Sequence, residues 1–131
     1  MIASFRTCLL IDDNYIDSFV TSKILESSNF AEKIIVRQSP DDAIDFLCNS
    51  ELRPDAIFLD IRMPQMSGFE FLEEYDRLTF EGKKDIKIYM LSSSLDPTDM
   101  DRSILNKYIT QFIHKPITHK ALEELAHDLS C

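Results

Sequence analysis

Short apolar runs alternate with amphipathic segments along the whole chain. The runs are three to six residues long and mostly apolar at consecutive positions. They are too short for free-standing helices, and consecutive apolar positions are typical of strands that are buried on both faces. The pattern therefore predicts five β-strands, at 8–11, 34–36, 56–59, 86–91 and 109–113.

Helical spacing fills the intervals between these strands. Apolar residues recur every three or four positions in segments 16–28, 40–50, 67–79, 97–107 and 118–129. Two of the helices have clear start signals, because Ser39 precedes Pro40 and Asp96 precedes Pro97, pairing a capping side chain with a first-turn proline. Thr118 is a weaker start signal for the last helix.

Strict alternation of strands and helices indicates a parallel sheet with helices on both faces. Right-handed crossovers then give a doubly wound α/β fold. The 131 residues suit a single domain, since domains most often contain about 100–150 residues. We expect one domain over 1–131, with its core at about 6–129.

The charge balance narrows the classes of partner. The chain has 14 Lys and Arg against 23 Asp and Glu, a net charge of −9, which argues against direct binding to nucleic acid or an anionic membrane. With only Gly68 and Gly82, a glycine-rich phosphate loop is excluded. The N-terminus has no secretory signal pattern, and no apolar run is long enough to span a membrane.

The three cysteines predict neither a disulfide framework nor a zinc site. Cys8, Cys48 and Cys131 are odd in number and widely spaced, which fits a reducing cytoplasm. We expect Cys8, in an apolar run, and Cys48, in a predicted helix, to pack as small hydrophobes.

Polar side chains follow four of the five predicted strands. Asp12 and Asp13 follow the first, Asp60 the third, three serines at 92–94 the fourth, and Lys115 the fifth. Because ligands of open α/β sheets bind beyond the carboxyl ends of the strands, we expect these side chains to share one site.

Three carboxylates at one site repel each other unless a cation or a proton intervenes. Oxygen ligands favour a hard cation such as Mg²⁺, while Lys115 and the hydroxyl of Ser92 suit the oxygens of a phosphoryl group. Alone, each residue would be read as a helix cap, a turn former, a polar loop or a solvated charge. Their joint position after the strands favours a phosphoryl-transfer site with a carboxylate nucleophile.

Four segments carry a family resemblance, Leu9–Asp13, Phe58–Gly68, Tyr89–Ser93 and Phe112–Pro116. Their most specific part is the Asp-x-x-Met-Pro-x-x-x-Gly run that begins at Asp60. In these segments the chain resembles the CheY-like receiver domains of two-component response regulators, and the resemblance extends along nearly its whole length. The resemblance implies a flavodoxin-like (βα)5 fold with strand order 2-1-3-4-5.

The resemblance also implies a function and a metal. Asp60 would accept a phosphoryl group from a phosphohistidine on a sensor histidine kinase or a histidine phosphotransfer protein. Asp13, Asp60 and the backbone carbonyl of Arg62 would bind Mg²⁺ (or Mn²⁺) directly, and Asp12 would act largely through water. The domain would be no enzyme beyond assisting its own phosphorylation and dephosphorylation.

Further roles follow from the same resemblance. Lys115 would pair with the carboxylate at rest and with the phosphoryl group afterwards, and Ser92 would move to bond a phosphoryl oxygen. Ser93, where the family often has alanine, is small enough to let the phosphoryl group approach. Phe112 would follow Ser92 inward.

Three residues would be structural, again by resemblance. The peptide bond before Pro116 would be cis, and Pro64 and Gly68 would shape the phosphoacceptor loop. His114, the neighbour of Lys115, is expected to have a structural or surface role, because adjacent residues on a strand point to opposite faces.

A receiver domain would use almost all of this chain, so we expect a stand-alone switch. Its output would be an unknown downstream protein, or onward relay of the phosphoryl group. The output surface would lie on the fourth helix, fifth strand and fifth helix, including the region of Met100, Ile104, Tyr108 and Leu122.

Three alternatives stay open at this point. A phosphatase of the haloacid-dehalogenase kind needs Asp-x-Asp after the first strand, where this chain has Asn14 as the last member. A flavodoxin-like redox carrier needs a Ser/Thr/Gly phosphate loop there. A degenerate receiver that no longer takes phosphate is disfavoured because all five key positions are intact.

Overall fold

The computed structural model describes residues 5–49, 53–63, 66–80, 82–93 and 96–130. Five strands and five helices alternate in this part of the chain, as predicted, and a short 3₁₀ turn, Lys83–Asp85, precedes the fourth strand. The elements are β1 Phe5–Ile11, α1 Tyr15–Ser27, β2 Ala31–Arg37, α2 Pro40–Asn49, β3 Ala56–Asp60, α3 Gly68–Arg77, β4 Lys87–Ser92, α4 Pro97–Leu105, β5 Ile109–His114 and α5 His119–Ser130.

The five strands form one parallel sheet in the order β2-β1-β3-β4-β5. The doubly wound fold and its strand order are therefore confirmed. The order reverses between β1 and β3, and in such sheets a crevice opens at the carboxyl ends of the strands where this happens.

Alternate residues of the central strands supply two separate cores. Leu9 and Ile11 of β1 pack on the face covered by α2 and α3, whereas Cys8 and Leu10 pack on the face covered by α1 and α5. All four residues are fully buried. Burial on both faces explains why the central strands are visible in the sequence as continuous apolar runs.

The edge strand β2 begins earlier than the pattern predicts. It extends from Ala31 to Arg37 rather than over 34–36. Glu32 and Lys33 are exposed within it, and their charged side chains interrupt the apolar pattern at the start of this strand. Hydrophobicity alone therefore detected only its partly buried end.

All three predicted helix-start signals make capping hydrogen bonds. Side-chain oxygens of Ser39, Asp96 and Thr118 accept hydrogen bonds from backbone N–H groups two or three residues later, at 3.1, 2.9 and 3.1 Å. α3 begins with a capping box in which Ser67 and Glu70 each accept a hydrogen bond from the other's backbone N–H. These contacts satisfy N–H groups that a helix leaves without partners at its start.

Cys8 and Cys48 differ in their surroundings. Cys8 is buried as expected, and burial raises the pKa of its thiol to about 12. The expectation was wrong for Cys48, which is exposed because it lies on the solvent side of α2. Within the residues described here, no helix is both long and apolar enough to cross a membrane.

Candidate functional site

Lys115 connects the carboxyl ends of the strands through its ammonium group. Its Nζ lies 2.9 Å from Oδ2 of Asp12, directly after β1, and 3.4 Å from Oδ1 of Asp60, at the end of β3. The backbone N–H of Lys115 donates to the carbonyl of Ser92 at 2.7 Å, which fixes the end of β5 against β4. Groups from four regions of the sequence thus meet at one point.

The three predicted carboxylates converge. One oxygen from each of Asp12, Asp13 and Asp60 lies within 4.8 Å of the others. Asp12 is 0% exposed and Asp60 is 7% exposed, whereas Asp13 is open to solvent. An all-oxygen set with one accessible member fits a hard divalent cation that keeps some of its water.

The protonation of the site follows from burial and from the opposing charges. The pKa of Asp60 is raised to about 6: burial raises it most, the charge of Lys115 lowers it, the charge of Asp12 raises it, and hydrogen bonds from Lys115 and the backbone N–H of Arg62 lower it. Burial lowers the pKa of Lys115, but its hydrogen bond to Asp12 and the charge of Asp60 outweigh this and leave the pKa raised. At neutral pH, Asp60 is therefore mainly ionised and Lys115 is protonated.

A cleft of about 470 Å³ opens above Asp60. Ser92 is buried and Ser93 is exposed, and both line it. Phe112 is half-buried and packs on the core of the α2 and α3 face; it is not among the lining residues. The cleft is lined by Asp13, Asn14, Asp17, Asp60, Ile61, Arg62, Ser92, Ser93 and Lys115.

The backbone after Asp60 approaches α3 too closely for a side chain at Gly68. The N–H of Gly68 donates to the carbonyl of Ile61 at 2.8 Å. A Cβ on Gly68 would lie 2.9 Å from both the carbonyl oxygen of Asp60 and Sδ of Met90. Pro64, in the same loop, lies outside the described residues. The Lys115–Pro116 peptide bond is cis, the isomer that the resemblance implied.

Asp17 belongs to the site although no sequence pattern assigns it a role there. Its Oδ2 lies 3.4 Å from Nζ of Lys115, and its side chain lines the cleft. The sequence places Asp17 in the first turn of a helix, where a carboxylate is favourable in any protein. That signal cannot reveal a contact with a residue 98 positions away.

The role expected for His114 agrees with the structure, and the expected output surface agrees only in part. His114 is exposed, and its Nε2 lies 3.3 Å from the carbonyl of Ser93, consistent with a structural or surface role. On the expected output surface, Met100 and Ile104 are exposed and Tyr108 is partly buried. Leu122 lies on α5 and is buried in the core between the sheet and the helices α1 and α5. It therefore cannot be part of that surface.

Comparison with known proteins identifies the family. The response regulator receiver domain family matches residues 8–127. The chain belongs to this family. A two-component response regulator of Cytophaga hutchinsonii is 29% identical, with a TM-score of 0.86 over 96% of this chain and 97% of that one. A response regulator receiver protein of Dyadobacter fermentans is 31% identical, with a TM-score of 0.85 over 95% and 98%.

A two-component response regulator of Oryza sativa subsp. japonica is 31% identical over 89% of this receiver domain and 52% of its own length. The chain spans about half the length of the curated relatives it matches first. This receiver domain is a phosphorylation-activated switch of two-component signalling rather than a catalyst of other reactions. Membership in the family excludes the phosphatase and the redox carrier. Asn14, where such a phosphatase needs an aspartate, is instead the N-cap of α1, and its side chain accepts a hydrogen bond from the N–H of Asp17.

Proposed function

We propose that Asp60 accepts the phosphoryl group, from a phosphohistidine on a sensor histidine kinase or a histidine phosphotransfer protein. The observation that carries the proposal is the position of Lys115, whose ammonium lies between Asp12 and Asp60 at the base of the cleft. An ionised oxygen of Asp60 can act as the nucleophile there, and a fixed cation stands beside the developing charge.

The transfer exchanges one bond to phosphorus for another. A carboxylate oxygen of Asp60 attacks the phosphorus, the O–P bond forms and the N–P bond of the donor breaks. The electron pair of the broken bond stays on the imidazole nitrogen, which then takes a proton from solvent. Lys115 pairs with the phosphoryl oxygens, and later attack by water on the phosphorus returns the free carboxylate and inorganic phosphate.

The residues that would hold Mg²⁺ or Mn²⁺ are Asp13, Asp60 and the backbone carbonyl of Arg62, with Asp12 acting largely through water. The convergence of the three carboxylates within 4.8 Å supports this assignment. The bound cation would neutralise charge on the phosphoryl oxygens as they approach the acidic cleft.

The output surface would lie on α4, β5 and α5. Ser92 would donate its hydroxyl to a phosphoryl oxygen, with Ser93 leaving room for it, and Phe112 would move inward behind Ser92. The exposed apolar side chains Met100 and Ile104 of α4 are available to a downstream protein, or the phosphoryl group passes on in a relay.

The free thiols of Cys8 and Cys48 support a cytoplasmic location. The absence of nucleic-acid and membrane partners stays a prediction.

Phosphorylation by a small donor tests the proposed function. Incubation with acetyl phosphate or phosphoramidate is expected to add the mass of one phosphoryl group when Mg²⁺ is present, and almost none when the metal is chelated. Intact-protein mass spectrometry gives the result. Absence of the increment, or steady release of phosphate from many unrelated monoesters, would contradict the proposal.

The outer face of α1 is the expected docking site of the protein donor. Tyr15, Ile16, Phe19 and Val20 form this α1 face, and all four are exposed apolar side chains. α1 begins directly after Asp13 and Asn14 at the rim of the cleft. A protein that brings its phosphohistidine to Asp60 must cover this rim, so it would also cover the α1 face.

An Ile16→Ser variant should therefore separate protein donors from small ones. Ile16 is 72% exposed, so the fold should tolerate the change. We expect phosphotransfer to fall about tenfold when the donor is a phosphorylated histidine phosphotransfer domain that is active on the wild type. The rate with phosphoramidate should not change.

Ile104→Ser is the matched control, because Ile104 is 78% exposed and lies on α4. It should leave both rates unchanged. Equal loss of phosphotransfer in the two variants, or no loss in Ile16→Ser, would show that the donor does not dock on the α1 face.

A further inference from the structure

Lys115 has three carboxylate neighbours, one more than the proposed chemistry uses. Its Nζ lies 2.9 Å from Asp12, 3.4 Å from Asp60 and 3.4 Å from Asp17. The side chain of Lys115 is only 10% exposed, so these contacts replace most of its hydration. An ammonium group has three N–H donors, and the three carboxylates match them in number.

The third neighbour differs from the other two in its position. Asp12 and Asp60 belong to the carboxylate cluster that would hold the cation, and Asp17 does not, within the part of the chain that the structure describes. The side chain of Asp17 is 46% exposed and projects from the first turn of α1 at the mouth of the cleft. It can therefore hold Lys115 without contributing a ligand.

We propose that Asp17 is a positioning residue that holds the ammonium of Lys115 on the α1 side of the cleft and competes for it with the phosphoryl group. This inference rests on the proposed function of Asp60. When Asp60 carries a phosphoryl group, new anionic oxygens stand beside Lys115, and pairing with them draws Nζ away from Asp17. Asp17 thus stabilises the unphosphorylated state relative to the phosphorylated one.

A purely structural role makes a different prediction. A carboxylate in the first turn of a helix stabilises that helix through the helix dipole, and it would do so equally in both states. Under that reading, removal of the charge lowers the melting temperature but leaves the balance between the two states unchanged.

The effect can be measured as the rate of phosphorylation divided by the rate constant of hydrolysis, which sets the phosphorylated fraction at steady state in acetyl phosphate and Mg²⁺. Asp17→Asn should raise the ratio of phosphorylated to unphosphorylated protein about threefold to fivefold, the size expected for loss of a half-exposed ion pair. Asp17→Glu keeps the charge and should return the ratio towards wild type. Glu26→Gln, which removes a charge from the other end of α1 at an exposed position, should leave the ratio unchanged.

Two further measurements ask whether Asp17 acts through Lys115. In a Lys115→Met background, Asp17→Asn should no longer change the ratio, because a double-mutant cycle isolates the pair. If the rise persists there, direct repulsion of the phosphoryl group is the cause and the proposal is wrong. In ¹⁵N-lysine NMR spectra, Asp17→Asn should shift the Nζ signal of Lys115 in the unphosphorylated protein and leave it unchanged in the phosphorylated one.

The outcomes separate the two levels of inference. If the wild type takes up phosphate but Asp17→Asn gives the wild-type ratio, Asp17 has no positioning role and the function of Asp60 stands. A Lys115 signal that shifts equally in both states also overturns the positioning role. Failure of the wild type to take up any phosphate removes both.

Discussion

An Asp60→Asn variant is expected to take up no phosphoryl group from acetyl phosphate, with or without Mg²⁺. The amide of asparagine is a poor nucleophile and carries no charge for a metal to bind, whereas the ionised carboxylate of Asp60 offers both. Intact-protein mass spectrometry under conditions that phosphorylate the wild type measures the loss. Asp41→Asn, at an exposed acidic position of α2, should be phosphorylated like the wild type.

The same substitution should stabilise the fold at neutral pH in metal-free buffer. Burial raises the pKa of Asp60 from 3.8 to about 6, so the folded protein binds this proton more tightly than the unfolded chain does. The free energy of unfolding of the wild type therefore falls as the pH rises from about 4 through about 6. Because asparagine does not titrate, the variant loses this dependence and gains about 1–2 kcal/mol at pH 7, after a discount for solvent access.

Urea unfolding at several pH values between 4 and 8 checks this part of the prediction. The difference between the variant and the wild type should grow with pH up to about 7 and then stay level. Phosphate uptake by Asp60→Asn at the wild-type level would remove Asp60 as the acceptor. A constant stability difference at all pH values would instead contradict the explanation from burial.

Gly68→Ala should damage both the fold and the reaction. The new Cβ would lie 2.9 Å from the backbone carbonyl of Asp60 and from Sδ of Met90. The sulfur can move, but the carbonyl is held in the chain beside the nucleophile. We expect a loss of about 2 kcal/mol in the free energy of unfolding and a slower phosphorylation by phosphoramidate, because relief of the clash displaces the acceptor loop.

Gly82→Ala is the matched control. Gly82 has a φ of +85°, and among the described residues no atom lies within 4 Å of a Cβ placed there. Its cost is backbone strain alone, about 1 kcal/mol, with an unchanged phosphorylation rate. Urea unfolding and phosphoramidate kinetics on both variants give the comparison. If the two variants lose activity equally, the close approach at Gly68 does not position Asp60.

The sequence was most informative where side chains follow buried strands. Asp12, Asp60 and Lys115 come after runs that are apolar at nearly every position, and parallel strands bring such positions to one edge of the sheet. Their assembly could therefore be predicted without coordinates. The caps at Ser39 and Asp96 were equally visible, since they depend on residues only two or three positions away.

Details that depend on how helices pack were not visible. Asp12 is buried and its neighbour Asp13 is exposed, yet the sequence presents them as an equal pair. The contact between Asp17 and Lys115 depends on how close the first turn of α1 lies to the residue that follows β5. The helical spacing of Leu122 fits a surface position as well as a core position. Leu122 is buried because α5 packs on the sheet.

The exposed charged side chains of β2 also affect whether the sheet can pair with another molecule. β2 is an outermost strand of the sheet, so in the part of the chain that the structure describes, one row of its backbone N–H and C=O groups faces no strand and can pair with an extended segment of another molecule. Glu32 and Lys33 stand at the beginning of that row, and charged side chains on an edge strand oppose such pairing. The residues that hid the strand from the hydrophobic pattern thus help to keep the sheet from growing by addition of a second chain.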